Sequence, residues 1–129
     1  MTCGFRTPSH FPSNCPPLPH SENPGVYYRL VEDARNLSDR DFKSFAELGR
    51  VSRTPAALCR DCSVSLFDSS ERARNFLLNQ PDFGQRQIAR VNLAGNHGVV
   101  HKTDPRSGHI DWWVPEGTSP RSFCDGAIE

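Results

Sequence analysis

Apolar positions along the chain fall into short blocks with two different spacings. Val26 to Val31 is aromatic and β-branched and predicts a first strand. Phe42, Phe45, Ala46 and Gly49 follow helical spacing behind Ser38 or Asp39 as a cap, which predicts a short helix with Gly49 at its end. Residues 50–58 read as a loop around Pro55, and Val64 to Phe67 as a second strand. Asp68, Ser69, Ser70 and Glu71 then supply a cap and an acidic first turn. Ala73, Phe76 and Leu77 fall on one face of the helix that follows, and Pro81 closes it. Residues 87–93 alternate apolar and polar, residues 98–102 and 109–114 read as two more strands, and residues 104–108 have the composition of a turn joining them as a hairpin. The order is strand, helix, strand, helix, then three strands. It predicts a single compact α+β domain over residues 25–115, with a mixed or mainly antiparallel sheet of about five strands and two helices. Residues 116–129 read as a loose tail.

Composition changes this picture mostly at the ends. Of 11 prolines, six lie in residues 1–24, where they deny the backbone both helix and central strand. That segment reads as a Pro-rich disordered or polyproline-like arm. A chain of 129 residues with 15 basic and 15 acidic side chains has no bulk attraction for nucleic acid. Only two of the basic residues are lysines. The arginine excess fits either a genome-wide compositional habit or a need for planar forks on carboxylate or phosphate. No run approaches about 18 apolar residues, so no transmembrane helix is expected. The first residues lack the pattern of a secretory signal, and a cytoplasmic location follows as the default. In that compartment the five cysteines are expected as thiols or metal ligands rather than disulfides.

Three groups of residues carry candidate chemistry. Cys59 and Cys62 form a C-x-x-C, the spacing with which two thiolates hold one zinc ion. His97 and His101 have the spacing of the other half of such a site, but 34 residues separate Cys62 from His97, against about 12–15 in a zinc finger. The alternative is two small buried thiols. The pair is expected to open a strand, where no helix terminus stabilises a thiolate for redox work.

The second group is His101 and His109, which face one another across the predicted hairpin. Two imidazoles titrating near neutrality suit the base and acid of phosphodiester cleavage, as in a small ribonuclease. They equally suit a solvated hairpin surface. His101-Lys102-Thr103 resembles the H-x-T triplet of the 2H phosphoesterases, a family that carries two such triplets where this chain has one.

The third group is Tyr28-Arg29 on the first strand and Ser63-Val64-Ser65 on the second, followed directly by a capped helix. This order resembles the opening half of the ADP-ribosyltransferase fold. The resemblance implies that Arg29 binds the phosphates of NAD as a bidentate fork. It implies that Ser63 and Ser65 support the nicotinamide pocket, and that a late carboxylate stabilises the oxocarbenium-like centre. Asp111 and Glu116 are the carboxylates available for that last role. Asp111 has no second acidic residue two positions away, and Glu116 follows Pro115 in a loop. The pattern is also similar to small bacterial proteins with no assigned activity. Without the resemblance, Arg29 reads as a salt-bridged strand residue, and the serines as the polar face of their strand.

Trp112 and Trp113 are adjacent on the last strand and so point to opposite faces, one into the core and the other to the far side. The functional expectations are therefore three. The first is NAD or nucleotide binding, or ADP-ribosyl transfer, through Arg29, Ser63 and Ser65 with Asp111 or Glu116. The second is a non-enzymatic module for a protein partner, zinc-stabilised through Cys59 and Cys62. The third is a histidine-dependent ribonuclease through His101 and His109.

Overall fold

A computed structural model describes residues 15, 24–44, 47–49, 54–80, 82, 85–94, 97–104, 106–115 and 117–128. Six strands form one sheet: β1 (Gly25–Val31), β2 (Val64–Phe67), β3 (Gln87–Leu93), β4 (Val99–Asp104), β5 (His109–Trp113) and β6 (Cys124–Ile128). Their spatial order is β4-β5-β2-β1-β3-β6, and every neighbouring pair is antiparallel. Two helices, α1 (Pro55–Asp61) and α2 (Ser70–Asn79), complete an α+β domain.

Strand alternation sorts the side chains into two layers. Tyr27, Val31, Val64, Leu66, Ala89, Val91, Val100, Ile110 and Trp112 belong to the main core, closed by Ala34 and Phe42 from the β1–α1 connection and by Phe123 near the C-terminus. The opposite face is covered by the helices. Ala73, Phe76 and Leu77 of α2 pack with Phe67, Ile88, Tyr28 and Leu30, while Cys59 of α1 packs with Trp113 and Cys62. The two tryptophans are fully buried, one in each layer. Each indole N–H has a carbonyl partner: His97 for Trp112, at 2.7 Å, and Cys59 for Trp113, at 3.1 Å.

Local sequence explains where the helices start. Ser69 caps α2 by accepting the Arg72 N–H at 3.1 Å. Thr54 plays the same part for α1, accepting the Ala57 N–H at 3.3 Å. Pro55 then stands in the first helical position, where its missing N–H would have no partner in any case. The expected loop over residues 50–58 is thus corrected: its second half begins a helix, and Cys59 lies in α1 rather than at the opening of a strand.

The expected helix over residues 39–49 is also corrected. Among the described residues it opens with a 3-10 turn, Asp39–Phe42, and Lys43 is extended. Two local side-chain pairs divide the run. Asp41 accepts the Ser38 N–H at 2.9 Å, and Ser44 and Glu47 each accept the other's N–H at 3.2 and 3.0 Å. Each pair is a capping box, which satisfies N–H groups at the start of a helical turn, so the second one restarts the backbone at Ser44 and breaks the run in two.

The expected loose tail is corrected as well. A 3-10 turn, Pro120–Phe123, leads into β6, which extends the sheet beside β3 with Ile88 opposite Ile128. The predicted N-terminal arm falls outside the described residues apart from Cys15 and Pro24. Cys15 is joined to Cys59 by a disulfide, with the two Cα atoms 5.5 Å apart. Cys59 is therefore not a thiol, contrary to the expectation for a reducing compartment.

Candidate functional site

The register of three strands builds one polar row on the helix-covered face. Asp111 on β5 stands opposite Ser65 on β2 and opposite His101 on β4. Facing positions of this kind lie about 4.5–5.5 Å apart at Cβ. His109 precedes Asp111 by two residues on the same face, and its Nδ1 lies 4.0 Å from Asp111 Oδ1. The distance between His101 and His109 is that of diagonal neighbours, about 7–8 Å.

Asp111 is 3 % exposed. A carboxylate so placed requires polar neighbours. Ser63 is one: its hydroxyl lies 3.1 Å from Asp111 Oδ1 and 2.7 Å from the Arg60 carbonyl oxygen, one proton between two acceptors. The His109 ring is 28 % exposed and stands edge-on to Phe67, 5.9 Å between centroids. Phe67 in turn packs against Phe76 of α2. One edge of the imidazole thus faces a buried carboxylate, its flank meets an apolar wall, and part of the ring meets solvent.

The hairpin tip is fastened to the start of α2. The Asp68 N–H donates to the Gly108 carbonyl at 3.0 Å, and Gly108 donates to the Asp104 carbonyl at 3.0 Å. A side chain at residue 108 would run into Asp68 and Arg72, and its φ is +74°. The left-handed backbone favours glycine there, and its lack of a side chain lets Asp68 and Arg72 lie against the hairpin.

Arg29 lies on the other face, between Tyr27 and Val31 of the main core. Its Nε donates to the Asp41 carbonyl at 3.0 Å and its Nη1 to the Ser65 carbonyl at 2.9 Å. Burial pulls its pKa down to about 10; Asp41 pulls it up and Arg86 pushes it further down. The side chain remains protonated at neutral pH. It touches the Ser65 backbone, while the side chains of Ser63 and Ser65 point to the opposite layer. The structure therefore does not bring Arg29 and the two serines to one face. Glu116 lies outside the described residues.

The cysteine and histidine pairs are also apart. The Cys59 sulfur is bonded to Cys15, so it has no thiolate to offer a metal in this form. Cys62 keeps a thiol and is buried beside Trp113. His97 stacks on Phe123 at 3.7 Å between centroids, and its Nδ1 accepts the Ala94 N–H at 2.9 Å, away from His101. Among the described residues no group of three or more His, Cys, Asp or Glu side chains is arranged to hold a metal ion. No described helix is long and apolar enough to cross a membrane.

His101 and His109 are expected as one pair and Asp111 with the serines as parts of another site, whereas the structure places all of them on one face. The signal that links them is alternation within each strand: Ser65 lies between Val64 and Leu66, His101 follows Val100, and Ile110 separates His109 from Asp111, and those apolar neighbours all belong to the main core. No protein-family model, no curated protein and no solved structure matches this chain.

Proposed function

We propose that the chain is a small acid–base enzyme acting on phosphodiester bonds, with His101 and His109 as the proton-transferring groups and Asp111 as the residue that orients them. The observation that carries this reading is the row in which a buried Asp111 stands between the two histidines, one in register with it and one with Nδ1 at 4.0 Å. A carboxylate facing one imidazole nitrogen leaves the other to meet substrate. Two such imidazoles allow one to take a proton from an attacking hydroxyl while the other gives a proton to the departing oxygen.

The balanced charge of the chain favours a short nucleotide over a long nucleic acid. The opposite facing of Arg29 and Ser63 weighs against a shared pocket for NAD. The disulfide between Cys15 and Cys59 favours an oxidising compartment over the cytoplasm.

The test is turnover of ribodinucleotides and 2′,3′-cyclic mononucleotides by the purified chain between about pH 5 and 8, the range in which imidazoles titrate. His101→Ala and His109→Ala should each lower the rate by about 10²–10⁴-fold. Their unfolding midpoints should stay near that of the parent. Absence of turnover in the parent chain, or turnover in either variant equal to the parent's, would remove the reading.

A further inference from the structure

Three cysteines meet on the helix-covered face, and the acid–base row does not use them. Cys15 and Cys59 are bonded to one another, and the Cys62 thiol belongs to the same buried cluster, against Trp113. The Cys62 N–H donates to the Cys59 carbonyl at 3.2 Å, closing a turn at the end of α1. A turn of that kind holds its end Cα atoms within about 7 Å. Disulfides need about 4.4–6.8 Å, so a bond between Cys59 and Cys62 requires little backbone movement.

We propose that Cys15, Cys59 and Cys62 form a thiol–disulfide exchange site in which Cys59 changes partner. The Cys62 thiol loses its proton to solvent, and its sulfur attacks Sγ of Cys59. The bond from Cys59 to Cys15 breaks, the electron pair leaves on the Cys15 sulfur, and that sulfur takes up a proton. One disulfide and one thiol are present before and after, so no external oxidant or reductant enters the step. The exchange replaces a link between residues 44 positions apart with a link between residues three apart. It also frees the N-terminal residues from their covalent tether to α1.

The position of the attacking thiol sets the pace. Cys62 is 3 % exposed and follows the C-terminal end of α1, where the helix dipole does not favour an anion. Exchange should therefore be slow near neutrality and should quicken as the pH rises toward the thiol pKa.

The test uses the full chain, oxidised and free of reductant, held with excess N-ethylmaleimide at about pH 8.5, near the ordinary thiol pKa, and mapped by peptide mass spectrometry. The expected result is alkylation of Cys15 together with a new disulfide between Cys59 and Cys62. Cys62→Ser should abolish the labelling of Cys15. As a second arm, Cys15→Ser treated with oxidised glutathione should form the bond between Cys59 and Cys62. The proposal is overturned if Cys15 is labelled equally in Cys62→Ser, or in neither protein. It is also overturned if Cys62 is alkylated or bonded elsewhere while the bond from Cys15 to Cys59 persists. Failure of Cys15→Ser to close the short disulfide overturns it as well.

Discussion

The Nη1 of Arg29 reaches the carbonyl oxygen of Ser65 at 2.9 Å, across the seam between β1 and β2. Among the described residues those two strands share a single registered pair, Tyr28 with Phe67. β1 and β3, by contrast, stay in register over seven pairs. The guanidinium supplies a bond between β1 and β2 beyond the point where the backbone pairing ends, and its Nε fastens the turn at Asp41 to the same place. Arg29→Met should therefore destabilise the domain by about 2 kcal/mol, because two carbonyl acceptors lose a charged donor. Arg29→Lys should recover less than half of that loss, since one ammonium lacks the fork needed to span both acceptors. Urea unfolding of the three proteins measures both effects.

Two glycines should respond unequally to a methyl group. At Gly98, with φ +105°, a Cβ would strike the Trp113 carbonyl and lie 3.0 Å from Pro115 Cδ and from Trp112 Nε1. Backbone and buried rings cannot move aside easily. At Gly108 the obstructing groups are the side chains of Asp68 and Arg72, which can rotate away. Gly108→Ala should cost about 1 kcal/mol for its left-handed backbone, and Gly98→Ala about 2–3 kcal/mol or more. Thermal unfolding that ranked them in the reverse order would show that the Asp68–Arg72 contact is stiffer than the β5 backbone.

The disulfide between Cys15 and Cys59 restricts the unfolded chain over a long loop. Its removal by Cys15→Ser should lower stability by about 2–4 kcal/mol. A reductant should bring the parent chain down to the level of Cys15→Ser and leave that variant unchanged. Unfolding curves with and without dithiothreitol supply the comparison.

Asp104 gives the hairpin a dependence on pH. The N–H groups of Arg106 and Ser107 and the Ser107 hydroxyl hold its carboxyl below the ordinary carboxylate pKa. A folded pKa below the unfolded one means that the native state binds the proton more weakly. The contribution is then complete above the unfolded value of about 3.9 and fades as the pH falls through the lower folded value. The stability advantage of the parent over Asp104→Ala should be constant from neutrality down to about pH 5 and should shrink toward pH 3. A constant advantage across that range would remove Asp104 from the account.

Much of the sheet is legible in the sequence, because strand periodicity is a local property. The alternation in residues 87–93 and the β-branched runs at 26–31 and 64–67 each mark their strand without reference to anything distant. What is missed depends on context. Pro55 reads as a breaker unless Thr54 is recognised as a cap before it. The segment Cys124–Ile128 has Asp125 and Gly126, both poor strand formers, at its centre, and it becomes a strand through the edge that β3 presents to it. Phe42, Phe45, Ala46 and Gly49 have helical spacing, but Ser38 with Asp41 and Ser44 with Glu47 form two capping boxes, and the second start signal inside the run divides it.

The candidate site is legible in its members but not in their grouping. His101 and His109 lie on one hairpin but do not face one another as local reading expects: His101 stands opposite Asp111 and His109 opposite Asp104, because the bulge shifts the register between them. Asp111 joins them by parity on its own strand. Arg29 and Ser65 are adjacent through backbone yet face opposite layers, which no single-strand pattern reveals. The disulfide was the least legible feature, because Cys15 lies in a Pro-rich segment with no periodicity to place it near α1.

The hairpin of β4 and β5 takes up one extra residue between Lys102 and Asp104, while the pairs Val99–Trp113 through Lys102–Ile110 stay regular. Length at the tip is thereby uncoupled from what happens at Asp111. Loss of the extra residue at 103 straightens the bulge and leaves the carboxylate facing His101. A single residue inserted within 110–113 does the opposite: each side chain beyond it changes faces, and an acid or an indole is driven into the wrong layer. One hairpin thus contains a bulge open to a change of length and, on the facing strand, a stretch closed to it.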